Sequence, residues 1–106
     1  MGWFQSLFAV PDRKVPTSVP TPDQARTLVL YKFDTCPYCI RVLRRIQQLG
    51  LQGQIELRDT RSERGRRQEL QAATGRTQVP CLFVDGQPLF ESADIATWLE
   101  AYAART

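Results

Sequence analysis

Apolar and polar positions change their period several times after residue 27, and each change marks an element. Leu28-Val-Leu-Tyr-Lys-Phe33 reads as a strand. Cys39, Val42, Leu43, Ile46 and Leu49 then recur at helical spacing, with Arg41, Arg44, Arg45 and Gln48 on the opposite face and Gly50 as the stop. Gln54 to Arg58 is a short second strand. Thr60-Arg-Ser-Glu63 has the spacing of a capping box, which predicts a helix running to about Thr74 and ending at Gly75. That helix is weakly apolar, so it is expected to be well exposed. Cys81-Leu-Phe-Val84 and Gln87 to Phe90 flank Asp85-Gly86, the pair that makes tight hairpin turns. A last helix is expected to begin near Ser92, burying Ile95, Trp98, Leu99 and Tyr102. The order strand, helix, strand, helix, strand, strand, helix predicts an α/β domain. Its four-stranded mixed sheet is covered by three helices, and its first two strands are parallel through a helical crossover.

The first 26 residues have a different texture. Pro11, Pro16, Pro20 and Pro22 block helix and sheet ladders and favour extended backbone, which predicts little fixed structure from Pro11 to about Gln24. A tail over residues 1–26 and a folded domain over 27–106 follow. Within residues 1–10, Trp3, Phe4, Leu7 and Phe8 fall on one helical face. That face either packs on the domain, contacts a membrane surface, or has no role. The apolar run is too short to span a bilayer and lacks the charged start and small-residue cleavage site of a signal peptide. Met1-Gly2 with Ser6 matches an acylation pattern only loosely, because bulky Trp3 follows the glycine.

Composition narrows the chemistry. A chain of 106 residues with 42% apolar content supports one small core. The 14 basic and 11 acidic residues leave a mild positive balance, with most arginines lying between Arg41 and Arg76. No aromatic interleaving or recognition motif accompanies them, so they read as a solvated helical face and no nucleic-acid partner is expected. The absence of histidine excludes His general bases, His metal ligands and Cys-His nucleophile pairs. Three cysteines are too few for a disulfide scaffold or a four-cysteine zinc site, and point to a reducing, cytoplasmic setting.

Cys36-Pro37-Tyr38-Cys39 places two of those thiols at a strand-to-helix junction. Unpaired N–H groups and the positive dipole end there favour thiolate over thiol, and lower a cysteine pKa from ~8.5 into roughly the 3.5–7.5 range. Cys36 is therefore expected to be a nucleophile. Thr77-Gln-Val-Pro80 precedes the third strand, where a proline either starts an edge strand or serves a special turn through a cis peptide bond. Cys81 reads as a buried apolar cysteine or as a third redox thiol.

Three motifs in this order resemble the glutaredoxins over about residues 28 to 104: Thr35-Cys-Pro-Tyr-Cys39, Thr74-Gly-Arg-Thr-Gln-Val-Pro80 and Phe90-Glu-Ser-Ala-Asp-Ile95. Glu91-Ser92 is also similar to the signature of glutathione S-transferase N-terminal domains. The resemblance implies a thioredoxin-like fold and a monomeric, glutathione-dependent thiol-disulfide oxidoreductase acting on oxidised or glutathionylated proteins. Glutathione is the implied co-substrate, and no metal is expected. Cys36 is implied as the attacking thiolate and Cys39 as the resolving thiol. Tyr38, Thr77, Val79, Pro80, Ser92 and Asp94 are implied as glutathione contacts. Val79 would pair its backbone with the cysteinyl part, and Ser92 and Asp94 would hold the γ-glutamyl end. Read without the family, Ser92 is an N-cap and Asp94 a first-turn acid.

One position departs from the family pattern. Many glutaredoxins carry a lysine three places before the first cysteine, where this chain has Phe33, and Asp34 adds a negative charge that opposes thiolate formation. Lys32 is displaced by one residue, and Arg41 or Arg76 is the expected substitute. Two other functions stay open: a [2Fe-2S] cluster-binding module and a glutathione transferase.

Overall fold

The computed structural model describes residues 18–105, so the expectations for the apolar face of residues 1–10 lie outside it. Four strands form one sheet: β1 (Leu28–Lys32), β2 (Ile55–Asp59), β3 (Cys81–Val84) and β4 (Gln87–Leu89), in the order β2-β1-β3-β4. β2 runs parallel to β1, with Leu28 opposite Ile55 and Lys32 opposite Asp59, while β3 is antiparallel to both β1 and β4. The helices are α1 (Pro37–Gln48), α2 (Arg66–Thr74) and α3 (Ser92–Ala103). This is the thioredoxin-like arrangement, with the parallel pair joined through α1.

Strand alternation divides the core in two. Leu28 and Leu30 of β1, with Leu82 and Val84 of β3, face Val42 and Ile46 of α1 and Ile95, Trp98, Leu99 and Tyr102 of α3. The intervening residues Val29, Tyr31, Cys81 and Phe83 face the other way, against Leu70 of α2. A strand buried on both faces reads as the unbroken apolar run seen at Leu28–Tyr31. α2 contributes only Leu70 to the interior, as its sparse apolar content predicts.

Three local expectations are corrected. The Thr60 capping box does not form: α2 starts at Arg66 behind Gly65, with no side-chain cap. Asp59 instead closes a turn ahead of the helix, accepting the Arg61 and Ser62 N–H groups at 2.8 Å each. Ser92 is the first residue of α3 rather than its cap; the cap position is Glu91, held at φ 75°.

The proline-rich segment is the third. Val19 is only 6% exposed and belongs to the α1/α3 core, the Pro20 carbonyl accepts the Trp98 Nε1–H at 3.0 Å, and the Arg26 N–H donates to the Tyr102 hydroxyl. Prolines remove backbone donors, so the segment needs only donors for its carbonyls, and α3 supplies one. Fixed structure is therefore present ahead of Arg26, while the expectation for residues 11–17 lies outside the described residues. Among the described residues no helix is long and apolar enough to cross a membrane.

Candidate active site

Cys36 is the N-cap residue of α1, placed where β1 has ended and Pro37 opens the helix. Its sulfur accepts the Cys39 N–H at 3.3 Å, which closes the first turn around the thiol and fills one of the orphan donors of the helix end. Cys36 keeps 6% of its surface exposed, whereas Cys39 and Cys81 have none. Burial pushes the Cys39 thiol up to about 12, reinforced by its hydrogen bond with Cys36, with the Phe33 backbone and the Lys32 charge acting in the opposite direction. Cys81, in the α2-side core, is pushed up to about 12 mainly by burial. The two buried sulfurs are thus protonated at neutral pH, and Cys36 holds the exposed end of the pair.

Beside the dithiol lies a cleft of about 400 Å³ lined by Tyr38, Gln78, Val79, Pro80, Glu91 and Ser92. The Val79–Pro80 peptide is cis, one of the two expectations for this proline. The loop before β3 and the first turn of α1 share the cleft wall. Tyr38 is 59% exposed on the rim. Of the residues singled out from the sequence, Tyr38, Val79, Pro80 and Ser92 share this cleft, while Thr77 and Asp94 lie outside its lining. Asp94 sits in the first turn of α3 with one carboxylate oxygen buried and without a hydrogen-bond partner. Gln78 and Glu91 join the wall without having been expected there.

The charges near Phe33 rearrange the earlier expectation. Lys32 Nζ contacts Asp34 Oδ1 at 2.7 Å and Asp59 Oδ2 at 3.3 Å, so Asp34 faces a cation rather than acting alone. Burial works against the Lys32 ammonium, but its two carboxylate partners outweigh this and raise its pKa. Asp59 is also buried, yet the Ser62 and Arg61 N–H groups and Lys32 hold it down at about 2. The cation next to Phe33 is Arg61, whose guanidinium stacks 3.8 Å from the ring centroid. Arg76 instead covers Phe90, and Arg41 lies in a groove between α1 and α3. The signal for Arg61 was the parallel register. Lys32 pairs with Asp59, so two residues further on Arg61 comes level with Asp34.

Residues 30–106 match the model of the glutathione S-transferase N-terminal domain. The chain belongs to this family. Among solved structures, the chain is similar to the trimeric glutathione transferase TDR1 of Leishmania, at 30% identity and a TM-score of 0.59 over 72% of this chain and 17% of that one. It thus spans about a sixth of the transferase's length. Oxidised glutaredoxin 2 from Chlamydomonas reinhardtii shares 20% identity with a TM-score of 0.56, over 76% of this chain and 75% of the other. The holo form of glutaredoxin C1 from Populus tremula x tremuloides gives 20% and 0.58, over 80% and 90%. These two show the fold. No curated protein sequence matches. For this member of the transferase N-terminal family, the cleft and the thiol pair occupy one end of the sheet, at the N-termini of α1 and α3.

Proposed function

We propose that the protein is a glutathione-dependent thiol-disulfide oxidoreductase of the glutaredoxin type, working through Cys36 and Cys39 in a reducing compartment such as the cytoplasm. The observation that carries this reading is the Cys36 sulfur at the N-cap of α1, accepting the Cys39 N–H in the same turn that gives Tyr38 to the cleft wall, while Cys39 is fully buried.

The Cys36 thiolate attacks the glutathione sulfur of a protein–glutathione disulfide. The old S–S bond breaks, a new one forms between Cys36 and glutathione, and the protein leaves as a thiolate that takes a proton from water. A second glutathione thiolate then attacks, releasing oxidised glutathione and restoring the Cys36 thiolate. With a protein disulfide as substrate, Cys39 resolves the Cys36 mixed disulfide, losing its proton and expelling the substrate thiolate. The negative charge and hydrogen bond of Cys36 help to keep Cys39 protonated, and both are removed when Cys36 becomes part of a disulfide. The resolving thiol is therefore activated by the preceding step.

In this reading the Val79 backbone pairs with the cysteinyl unit of glutathione, and Tyr38 and Pro80 border it. The N-terminus of α3 at Ser92 receives the γ-glutamyl carboxylate, and the resemblance assigns its ammonium to Asp94 in the first turn of that helix. Arg61, beside Phe33, offers the cation for the glycine carboxylate in place of the lysine found in many glutaredoxins.

The deciding assay is glutathione-coupled reduction of a small mixed disulfide. Cys36→Ser is expected to lose turnover, and Cys39→Ser to keep most of it through the monothiol route. Wild-type turnover in Cys36→Ser would overturn the assignment. The family match favours a second reading, conjugation of glutathione to an electrophile in the same cleft. Wild-type conjugation of 1-chloro-2,4-dinitrobenzene that survives Cys36→Ser, without disulfide reduction, would select it.

A further inference from the structure

A second depression, of about 480 Å³, begins at Pro37, next to the nucleophile, and is lined by Ile40, Arg41, Arg44, Arg45, Gln48 and by Ala96 of α3. Pro37, Arg41, Arg44 and Gln48 follow the i, i+4, i+7, i+11 spacing of one helical stripe. Helix α1 contains no acidic residue. Among the described residues neither Arg41 nor Arg44 has a carboxylate within ion-pair distance, while Arg45 is held by Glu100 and Gln48 at the edge of the groove. Arg26, Arg58 and Arg66 are each matched by two carboxylates. Arg61, Arg76 and Arg105 have no such partner among the described residues but lie over aromatic rings, so what sets Arg41 and Arg44 apart is that they line one depression beside the nucleophile. The groove also carries Ile40, a large hydrophobic residue left 39% exposed. A lined depression with unmatched guanidinium groups and an apolar spot, starting one residue from the reacting sulfur, has the chemistry of a docking surface.

We propose that this groove seats an acidic segment of the disulfide-bearing protein on which Cys36 acts. The proposal rests on the oxidoreductase reading and names the kind of partner that reading left open. Geometry sets the spacing. At about 1.5 Å rise per residue, Arg41 and Arg44 stand about 8 and 12 Å along α1 from Cys36. An extended partner chain advances about 3.3 Å per residue, so carboxylates two to four residues from its reacting cysteine meet the two guanidinium groups. An apolar residue just before the first of them falls near Ile40, about 6 Å along the helix. Charge on the rim of such a contact acts chiefly on the encounter rate and is screened by salt.

The test uses the full chain and three decapeptides, each with one cysteine as its glutathione mixed disulfide. They carry three glutamates, three glutamines or three lysines at the second to fourth positions from that cysteine. The Glu peptide is expected to show a kcat/KM about 5- to 10-fold above the Gln peptide at low ionic strength, with the gap closing in 0.5 M sodium chloride. The double variant Arg41→Gln/Arg44→Gln is expected to abolish the preference while leaving turnover of the Gln peptide and of the mixed disulfide of glutathione with 2-mercaptoethanol unchanged. Arg41→Glu/Arg44→Glu is expected to favour the Lys peptide. Equal kcat/KM for Glu and Gln peptides in wild type, or a preference that survives the double variant, would overturn the groove assignment.

Failure of the oxidoreductase reading is separately visible, as absent turnover of the mercaptoethanol mixed disulfide. In that event fluorescence anisotropy with the serine analogues of the same peptides still decides. At least fivefold tighter binding of the Glu analogue, lost in the double variant, supports docking. Equal binding of the Glu and Gln analogues rejects it.

Discussion

At the scale of single residues, Asp59 links the end of β2 to the charges beside the dithiol. It accepts the Arg61 and Ser62 N–H groups and Lys32 Nζ, and is held at about 2, against 3.8 for a free aspartate. A carboxyl whose pKa is lower in the folded state stabilises the fold above its unfolded value. That contribution, roughly 2 kcal/mol, is complete above about pH 4 and is lost as pH falls through 2. Urea unfolding of Asp59→Asn is expected to show a deficit of this size at pH 7 that shrinks toward zero near pH 2; an equal deficit at both pH values would mean that charge is not involved. The same neighbourhood shows how far the sequence could be read. Cys36 and Cys39 were legible because spacing and the strand-to-helix junction are local properties. Arg61 was not, because its place beside Phe33 comes from the parallel register of a strand more than twenty residues away.

At the scale of elements, period and turn chemistry located all four strands and three helices, with Asp85 and Gly86 both at positive φ in the hairpin turn. The start of α2 was misplaced. Thr60 and Glu63 have the spacing of a capping box, but the competing acceptor one residue earlier, Asp59, takes the available N–H groups and turns the chain before the helix begins. The Thr60 hydroxyl is left with a 3.5 Å contact to the Lys32 carbonyl. Thr60→Ala is therefore expected to change stability by less than about 0.5 kcal/mol, where a true cap would lose about 1. A thermal unfolding midpoint several degrees lower would reinstate the capping box. Ser92 was misread by one position because Glu91 adopts a positive φ, which side-chain preference does not announce. Both errors fall at junctions, where one residue's hydrogen bond decides the boundary.

At the scale of the whole molecule, the folded unit extends past its expected edge. Val19 fills part of the α1/α3 core and Pro20 accepts from Trp98, so a chain starting at Arg26 removes core as well as tail. Losing a buried valine costs about 2 kcal/mol. A version starting at Arg26 is expected to be less stable in urea than one starting at Ser18 by at least that amount. Equal midpoints for the two would show that the segment is ornamental. All three thiols are buried, but only Cys36 keeps any exposed surface, and this has a further consequence, for chemical labelling. In its folded, reduced form the protein offers a maleimide one faster-reacting sulfur, Cys36, and two slow ones, Cys39 on the buried face of α1 and Cys81 in the core on the α2 side of the sheet. Mass spectrometry is expected to count one adduct quickly and three in denaturant. The delay of the second and third adducts then times the opening of each face of the sheet, so the native cysteines serve as two independent clocks of local unfolding without any engineered probe.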